Sequence, residues 1–267
     1  MFLSVFEMFK IGIGPSSSHT MGPMVAAARF LDLMRASPFT FAGVRGSLHG
    51  SLAFTGVGHA TDRATILGLA GFKPDTYDHD AAETMLETIR STHKITPPDL
   101  PKLDFNPKAD LKFDYGPNLP GHANGMILMA TDAQGDVVLK ETYYSVGGGF
   151  VLTEHELQAG DQKTEDAVPY PFKTAQEMLS MAERSGKSIA EMKRSNELAL
   201  LEYDKLSSGL SRIWQVMSDC IERGLSRDGV LPGGLNVKRR AKGIYDALQA
   251  ERGTNQSAPH TINDWMS

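Results

Sequence analysis

One stretch constrains this chain more than any other: Gly12-Ile13-Gly14-Pro15-Ser16-Ser17-Ser18-His19-Thr20-Met21-Gly22-Pro23. Two glycines and a proline make a tight, permissive turn. Four hydroxyls and an imidazole follow, and the apolar run Met24 to Met34 then reads as a helix. Pro23 suits a first helical position, where a missing N–H costs nothing. The polar run is therefore expected at or just before a helix N-terminus, where free N–H groups and the positive dipole end favour a carboxylate or phosphate. An ordinary N-cap needs only one hydroxyl, so the run points to a bound ligand.

Along the chain, Met1 to Phe9 fits a strand or a short helix, and Val44 to Phe54 a strand in which Gly46 and Gly50 mark close backbone approach. Thr55 to Ala64 is a second polar turn leading into a helix that ends at Leu69, with Thr61 or Asp62 as N-cap. Ala81 to Lys94 reads as a helix, Leu103 to Tyr115 as one or two short strands. Gly125 to Thr131 and Val137 to Tyr144 read as a hairpin turning at Asp132-Ala133-Gln134-Gly135-Asp136. The triplet Gly147-Gly148-Gly149 precedes Phe150 to Thr153.

Beyond residue 153 strand signals stop. Ala159 to Val168 is polar and suits a linker. Helices are expected at Thr174–Ser185, Ser188–Tyr203, Ser207–Arg223 and Lys238–Glu251, the third with an apolar face of Leu210, Ile213, Trp214, Met217, Cys220 and Ile221. The expected architecture is an α+β domain over residues 1–160, followed by an incomplete all-α domain over 161–267. Thr261 to Trp265 looks like the start of another helix, which suggests a truncated chain.

Composition removes several classes. The net charge of −5 implies no general attraction to nucleic acid. No run approaches the ~20 apolar residues of a membrane span, and no signal peptide is evident. A single cysteine, Cys220, permits no intrachain disulfide and fits a reducing cytoplasm; its place on an apolar helix face reads as a small core hydrophobe. Residues 12–18 lack a P-loop lysine, no G-x-S-x-G elbow or H-E-x-x-H pair occurs, and one cysteine cannot build a tetrathiolate site.

Five clusters pair glycine with polar or ionisable groups: Ser16–Thr20, His59–Asp62, His122–Asn124, Ser145–Gly149, and Leu231–Leu235 followed by Lys238, Arg239 and Arg240. Glycine lets backbone approach a ligand, and the polar neighbours orient it.

Together these stretches resemble the bacterial iron–sulfur L-serine dehydratases (L-serine ammonia-lyases) in their single-chain form. The resemblance rests on Phe6 to Thr20, Gly58 to Asp62, Asn118 to Met126, Tyr143 to Phe150, Pro169-Tyr170-Pro171-Phe172, Asn196-Glu197, and Gly229 to Leu235 with Arg239-Arg240. It implies a β domain over 1–160, similar to a small-molecule-binding domain of some phosphoglycerate dehydrogenases, and the opening of an α domain over 161–267. It also implies conversion of L-serine to pyruvate and ammonia, a step of amino-acid degradation that feeds gluconeogenesis, with one iron of a 4Fe-4S cluster as Lewis acid. On the same resemblance, Ser16, Ser17, Ser18, His19 and Thr20 surround the substrate's carboxylate and amine. His59 and His122 are the candidates for base or proton relay; spacing does not choose between them. Thr61, Asp62 and Asn124 orient them, and Lys238 and Arg239 complete charge neutralisation.

The family's cluster-ligating cysteines have no counterpart here, so no metal ligand is assigned and the chain is expected to be inactive alone. The competing expectation is a non-catalytic domain that binds an amino acid. The expected partner is L-serine, with a homodimer allowed and neither nucleic acid nor membrane.

Overall fold

The computed structural model describes residues 2–160, 168–231 and 236–252. The chain divides into two compact units, residues 1–199 and 200–267. The first is α+β; in the second, the described regular elements are helices.

The first unit opens with the short helix α1 (Val5–Met8), capped by Ser4 and Glu7. The polar run lies at a helix N-terminus, as expected, and the structure adds its form. It is not a loop ahead of the helix: Ser17–Met21 forms a π-helical turn running directly into α2 (Gly22–Ala36). The helical N-terminus thus lies at Ser16, whose hydroxyl accepts from the His19 backbone N–H. The physical reason is local: Ser16 is itself a good cap, and capping there draws the hydroxyls and the imidazole into the first helical turn.

Strand β1 (Gly43–Gly50) follows, stopped four residues short of the expected end. Gly50 adopts φ +55, where an added Cβ would sit 2.3 Å from the Ala123 carbonyl oxygen, so the chain turns into the short helix α3 (Ser51–Phe54). Helix α4 (Thr61–Leu69) starts without a side-chain cap. Neither Thr61 nor Asp62 takes that role; Ala60 occupies the N-cap position in a left-handed conformation, and the Thr61 hydroxyl is committed elsewhere.

Helix α5 (His79–Thr92) is capped by Asp78. Short strands β2 (Lys94–Ile95) and β3 (Leu103–Asp104), helix α6 (Pro107–Asp110) and strand β4 (Leu111–Asp114) lead to the hairpin β5 (Asn124–Thr131) and β6 (Val137–Gly147). Its turn is the expected one, with Asp132 Oδ1 accepting from the Gln134 and Asp136 backbone N–H groups. Strand β7 (Phe150–Thr153) and helix α7 (Glu154–Ala159) close the sheet region.

The described strands form one mixed sheet in the order β2-β3-β1-β5-β6-β7, with β4 also pairing β1. β1 runs parallel to β3 and β4 and antiparallel to β5. Alternation along β5 sends Met126, Leu128 and Ala130 into the core. They meet Val44, Leu48 and Tyr143 from the neighbouring strands and Met24, Ala27, Phe30, Leu31 and Met34 from α2. At fully buried positions each such aliphatic side chain contributes about 1.5–3 kcal/mol. α4 crosses α2 closely at Gly68, where a Cβ would lie 2.5 Å from the Met24 carbonyl oxygen.

Helices α8 (Ala175–Ser185) and α9 (Ile189–Leu198) belong to the first unit. α9 carries two buried polar residues. Asn196 exchanges hydrogen bonds of 2.8 Å with the backbone N–H and carbonyl of Tyr170. Glu197 accepts from the Ser4 hydroxyl at 2.8 Å and the Val5 N–H at 2.7 Å.

The second unit contains α10 (Tyr203–Ser226) and α11 (Ala241–Arg252). The apolar face expected on α10 is present but exposed, Trp214 being 66% accessible. Cys220, expected in a core, is exposed with it: a lone helical stripe shows where a side chain points and not whether anything covers it. The expected linker residues 161–167, the glycine pair 233–234 and the helix start at 261–265 lie outside the described residues.

Candidate functional site

The π-helical turn brings Ser16, Ser18, His19 and Thr20 together. Ser16 Oγ lies 3.4 Å from Ser18 Oγ, and Ser18 Oγ lies 2.9 Å from His19 Nδ1. The other ring nitrogen, His19 Nε2, lies 2.8 Å from Ser51 Oγ. Ser17 is exposed, and its carbonyl accepts from the Gly22 N–H.

The second polar turn packs directly on the first. The Thr20 hydroxyl donates to the His59 carbonyl at 2.9 Å, and the fully buried Thr61 donates to the His19 carbonyl at 2.6 Å. These reciprocal bonds bring the two imidazoles to 4.8 Å between ring centroids, tilted by 34°. Asp62 stands in the first turn of α4 and makes no hydrogen bond to either histidine among the described residues.

The third cluster joins through Ser51. The Ser51 backbone N–H donates to the Ala123 carbonyl at 2.8 Å, beside His122. His122 Nδ1 accepts from the Asn124 backbone N–H at 3.1 Å. The Asn124 side chain donates to the Ser145 carbonyl at 3.1 Å, tying in the fourth cluster. The Ser145 hydroxyl is buried against Gly22 and has no hydrogen-bond partner among the described residues.

The two candidate bases differ in which nitrogen is committed. His59 Nδ1 lies 2.9 Å from the Thr55 carbonyl oxygen, which only accepts. The proton therefore sits on Nδ1, and Nε2 carries the free lone pair. For His122 the bonded nitrogen is the acceptor, which places the neutral ring's proton on Nε2. The neutral His59 ring thus leaves Nε2 as an acceptor and the neutral His122 ring leaves Nε2–H as a donor. Burial, then the neighbouring His59, hold the His19 imidazole below its usual range, keeping it neutral near pH 7.

Lys238 and Arg239 belong to the second unit. There Lys238 bridges to Val230, and the Arg239 N–H donates to the Gly229 carbonyl. Ser51 and Thr55 also join the His19–His59 cluster, and neither is assigned a role in it by the sequence pattern. Ser51 stands immediately after a strand-ending glycine, and that junction was the available signal. A separate cavity of about 730 Å³ lies between the N-terminal segment and α8–α9, lined mainly by apolar side chains such as Met8, Phe172, Met178 and Met192, and it contains none of these groups.

The α+β unit thus gathers hydroxyls and imidazoles at the start of its first long helix. The chain belongs to the serine dehydratase beta chain family, whose model matches residues 4–156. It is 45% identical over 254 residues to the L-serine dehydratase of Streptomyces coelicolor, covering 94% of this chain and 56% of that protein. It is 38% identical over 274 residues to the L-serine dehydratase of Haemophilus influenzae, and 38% identical over 268 residues to L-serine dehydratase 1 of Escherichia coli. Each of those alignments covers 99% of this chain and 58% of the relative. The chain therefore spans a little over half the length of the curated relatives it matches.

The 4Fe-4S cluster implied by the resemblance requires several thiolate ligands. The sequence holds one cysteine, and it is exposed on α10. Among the described residues no three His, Cys, Asp or Glu side chains are grouped so as to hold a metal ion. The donors of this chain do not fit that cluster. Among the described residues no helix is long and apolar enough to cross a membrane.

Proposed function

We propose that the first unit carries the L-serine-binding and proton-abstracting part of an L-serine ammonia-lyase site, for the net conversion of L-serine to pyruvate and ammonia. In this reading residues 1–160 are the ligand-binding domain and 161–267 the opening of a helical domain. The observation that carries it is the tautomer of His59: Nδ1–H is held by the Thr55 carbonyl and Nε2 is left as a base beside a hydroxyl-lined turn. Ser16, Ser18 and the first free N–H groups of the π-helical turn receive the carboxylate. His59 Nε2 takes the α-proton, and His122 Nε2–H serves as the donor on the Ala123 side. Iron–sulfur dependence and a cytoplasmic setting belong to the same reading.

A second reading, a domain that binds an amino acid without chemistry, is favoured by one observation: a single cysteine where a cluster needs several. Calorimetric titration with L-serine tests what the two share, and saturable binding is expected. Pyruvate release after anaerobic treatment with iron and sulfide separates them. In a full-length form that includes the cluster-binding part, turnover that falls about 10²-fold or more in His59→Ala supports the lyase; a full-length form that binds L-serine without turnover supports the second reading; absence of L-serine binding overturns both.

A further inference from the structure

We propose that Pro23 is a positioning residue for the site: by withholding a backbone N–H, it leaves the His19 carbonyl to the Thr61 hydroxyl and so seats the His59 turn against the Ser16–Thr20 turn. The inference rests on the reading of His59 as the base of an L-serine site.

Pro23 does not stand at the start of the helix. The helical run begins at Ser17, and Pro23 lies buried inside it. At such a position a proline removes the i→i−4 hydrogen bond, and its ring crowds the carbonyl of residue i−4. Here that residue is His19. Just upstream the helix is widened into the π turn, where the Met21 and Gly22 N–H groups reach back to the Ser16 and Ser17 carbonyls. The next N–H would serve the Ser18 carbonyl in that spacing or the His19 carbonyl in the α spacing. Position 23 has none to give.

The donor comes instead from α4. Thr61 Oγ1 donates to the His19 carbonyl at 2.6 Å. Thr61 is fully buried, where a carbonyl without a donor is costly. The start of α4 is built around this bond. Its N-cap, Ala60, offers no side-chain oxygen and is held at φ +52, a left-handed conformation that a Cβ disfavours. The Thr20 hydroxyl returns the contact, donating to the His59 carbonyl at 2.9 Å, and the two rings come to 4.8 Å. An N–H at position 23 lets the helix close in the α spacing and directs the His19 carbonyl along the helix axis, away from Thr61. His59 then loses half of what docks it on the hydroxyl-lined turn.

A double-mutant cycle tests this. Pro23→Ala returns an N–H to position 23, and Pro23→Val does so while filling more of the buried space of the ring; the cycle is run on both. Thr61→Val is expected to lower the urea midpoint in the wild type, and by less than half as much in either Pro23 background, where the helix supplies the donor. L-serine affinity separates positioning from packing. It should fall about tenfold in Thr61→Val and in each Pro23 variant. It should stay low in the double variants, where the Thr61 substitution no longer lowers the midpoint, and return in Thr61→Ser, which keeps the hydroxyl. Equal midpoint losses in all backgrounds, or full L-serine affinity in the folded Pro23 variants, overturn the proposal while leaving L-serine binding by the wild type intact. Failure of both Pro23 variants to fold overturns it too, since an added N–H suits a helix. A wild type that binds no L-serine overturns the serine-site reading instead, and the midpoints still decide the relationship of Pro23 to Thr61.

Discussion

The Thr61 hydroxyl donates to the His19 carbonyl at 2.6 Å, and so the second polar turn holds the first in place from beneath. Thr61 is fully buried, and its backbone carbonyl receives the Thr65 hydroxyl. Replacing it with valine keeps the shape and leaves the His19 carbonyl without its donor. Thr61→Val should cost about 1–3 kcal/mol in urea denaturation. It should also alter the ring contact between His19 and His59, visible as displaced imidazole resonances.

The histidines give the chain a stability that depends on pH. Burial holds both His19 and His49 below the ordinary imidazole value of 6.5; His59 adds to this at His19 and the Ser51 backbone opposes it, while Asp114 opposes it at His49. Folding therefore disfavours their charged forms, and below about pH 6.5 the unfolded chain binds more protons than the folded one. Their contribution is fully present above pH 6.5. It is lost as pH falls through the folded-state values. Denaturation midpoints measured from pH 7.5 to 5 should decline, and His19→Asn should make that decline shallower.

Gly22 and Ser145 touch so closely that a Cβ on Gly22 would lie 2.1 Å from Ser145 Oγ. Gly22→Ala should cost about 1–3 kcal/mol, because buried atoms must shift to admit the methyl group. Ser145→Ala should act in the opposite direction. Its hydroxyl is buried without a protein partner, so removing it should raise the stability of the ligand-free chain by about 1 kcal/mol. An unchanged melting temperature in both variants would contradict this account of the contact.

Glu197 is 2% exposed and anchors the N-terminal segment through Ser4 and Val5, with Lys193 Nζ 3.3 Å away. Glu197→Ala leaves buried donors without an acceptor and should cost about 3 kcal/mol. Limited proteolysis should then cut within the first ten residues, while the sheet region stays protected.

Legibility in the sequence followed the range of the interactions. The hairpin of β5 and β6 was readable because alternation and turn chemistry are local. The polar clusters were readable as clusters because glycine and hydroxyls concentrate in them. What sequence could not supply was which group answers which. Thr61 looked like a cap, yet its hydroxyl is spent on His19, 42 positions away. The one signal at Ser51 was its place after the strand-ending Gly50, and its side-chain partner comes from another element. The stripe on α10 was correctly periodic, but exposure depends on what stands opposite. Spacing left His59 and His122 equivalent, and only the backbone groups at Thr55 and Asn124 separate them.

The order of the sheet has a consequence for when the site comes into being. β1 lies between β5, met 74 or more residues later in the chain, and the parallel strands β3 and β4. Ser51 is delivered by the end of β1, and its backbone is held by Ala123 just before β5. A ribosome-bound chain that has released only the glycine–serine stretch and its helix therefore has the sidewalls of a pocket without the strand that joins them. His19 and Ser51 are 32 positions apart, but the Ser51 backbone is held by Ala123, so the loop-closure entropy of the much longer 51–123 span must be overcome before their contact is fixed. Under the proposed function, L-serine binding is a reporter of complete tertiary folding, and no early folding species of this chain should show it.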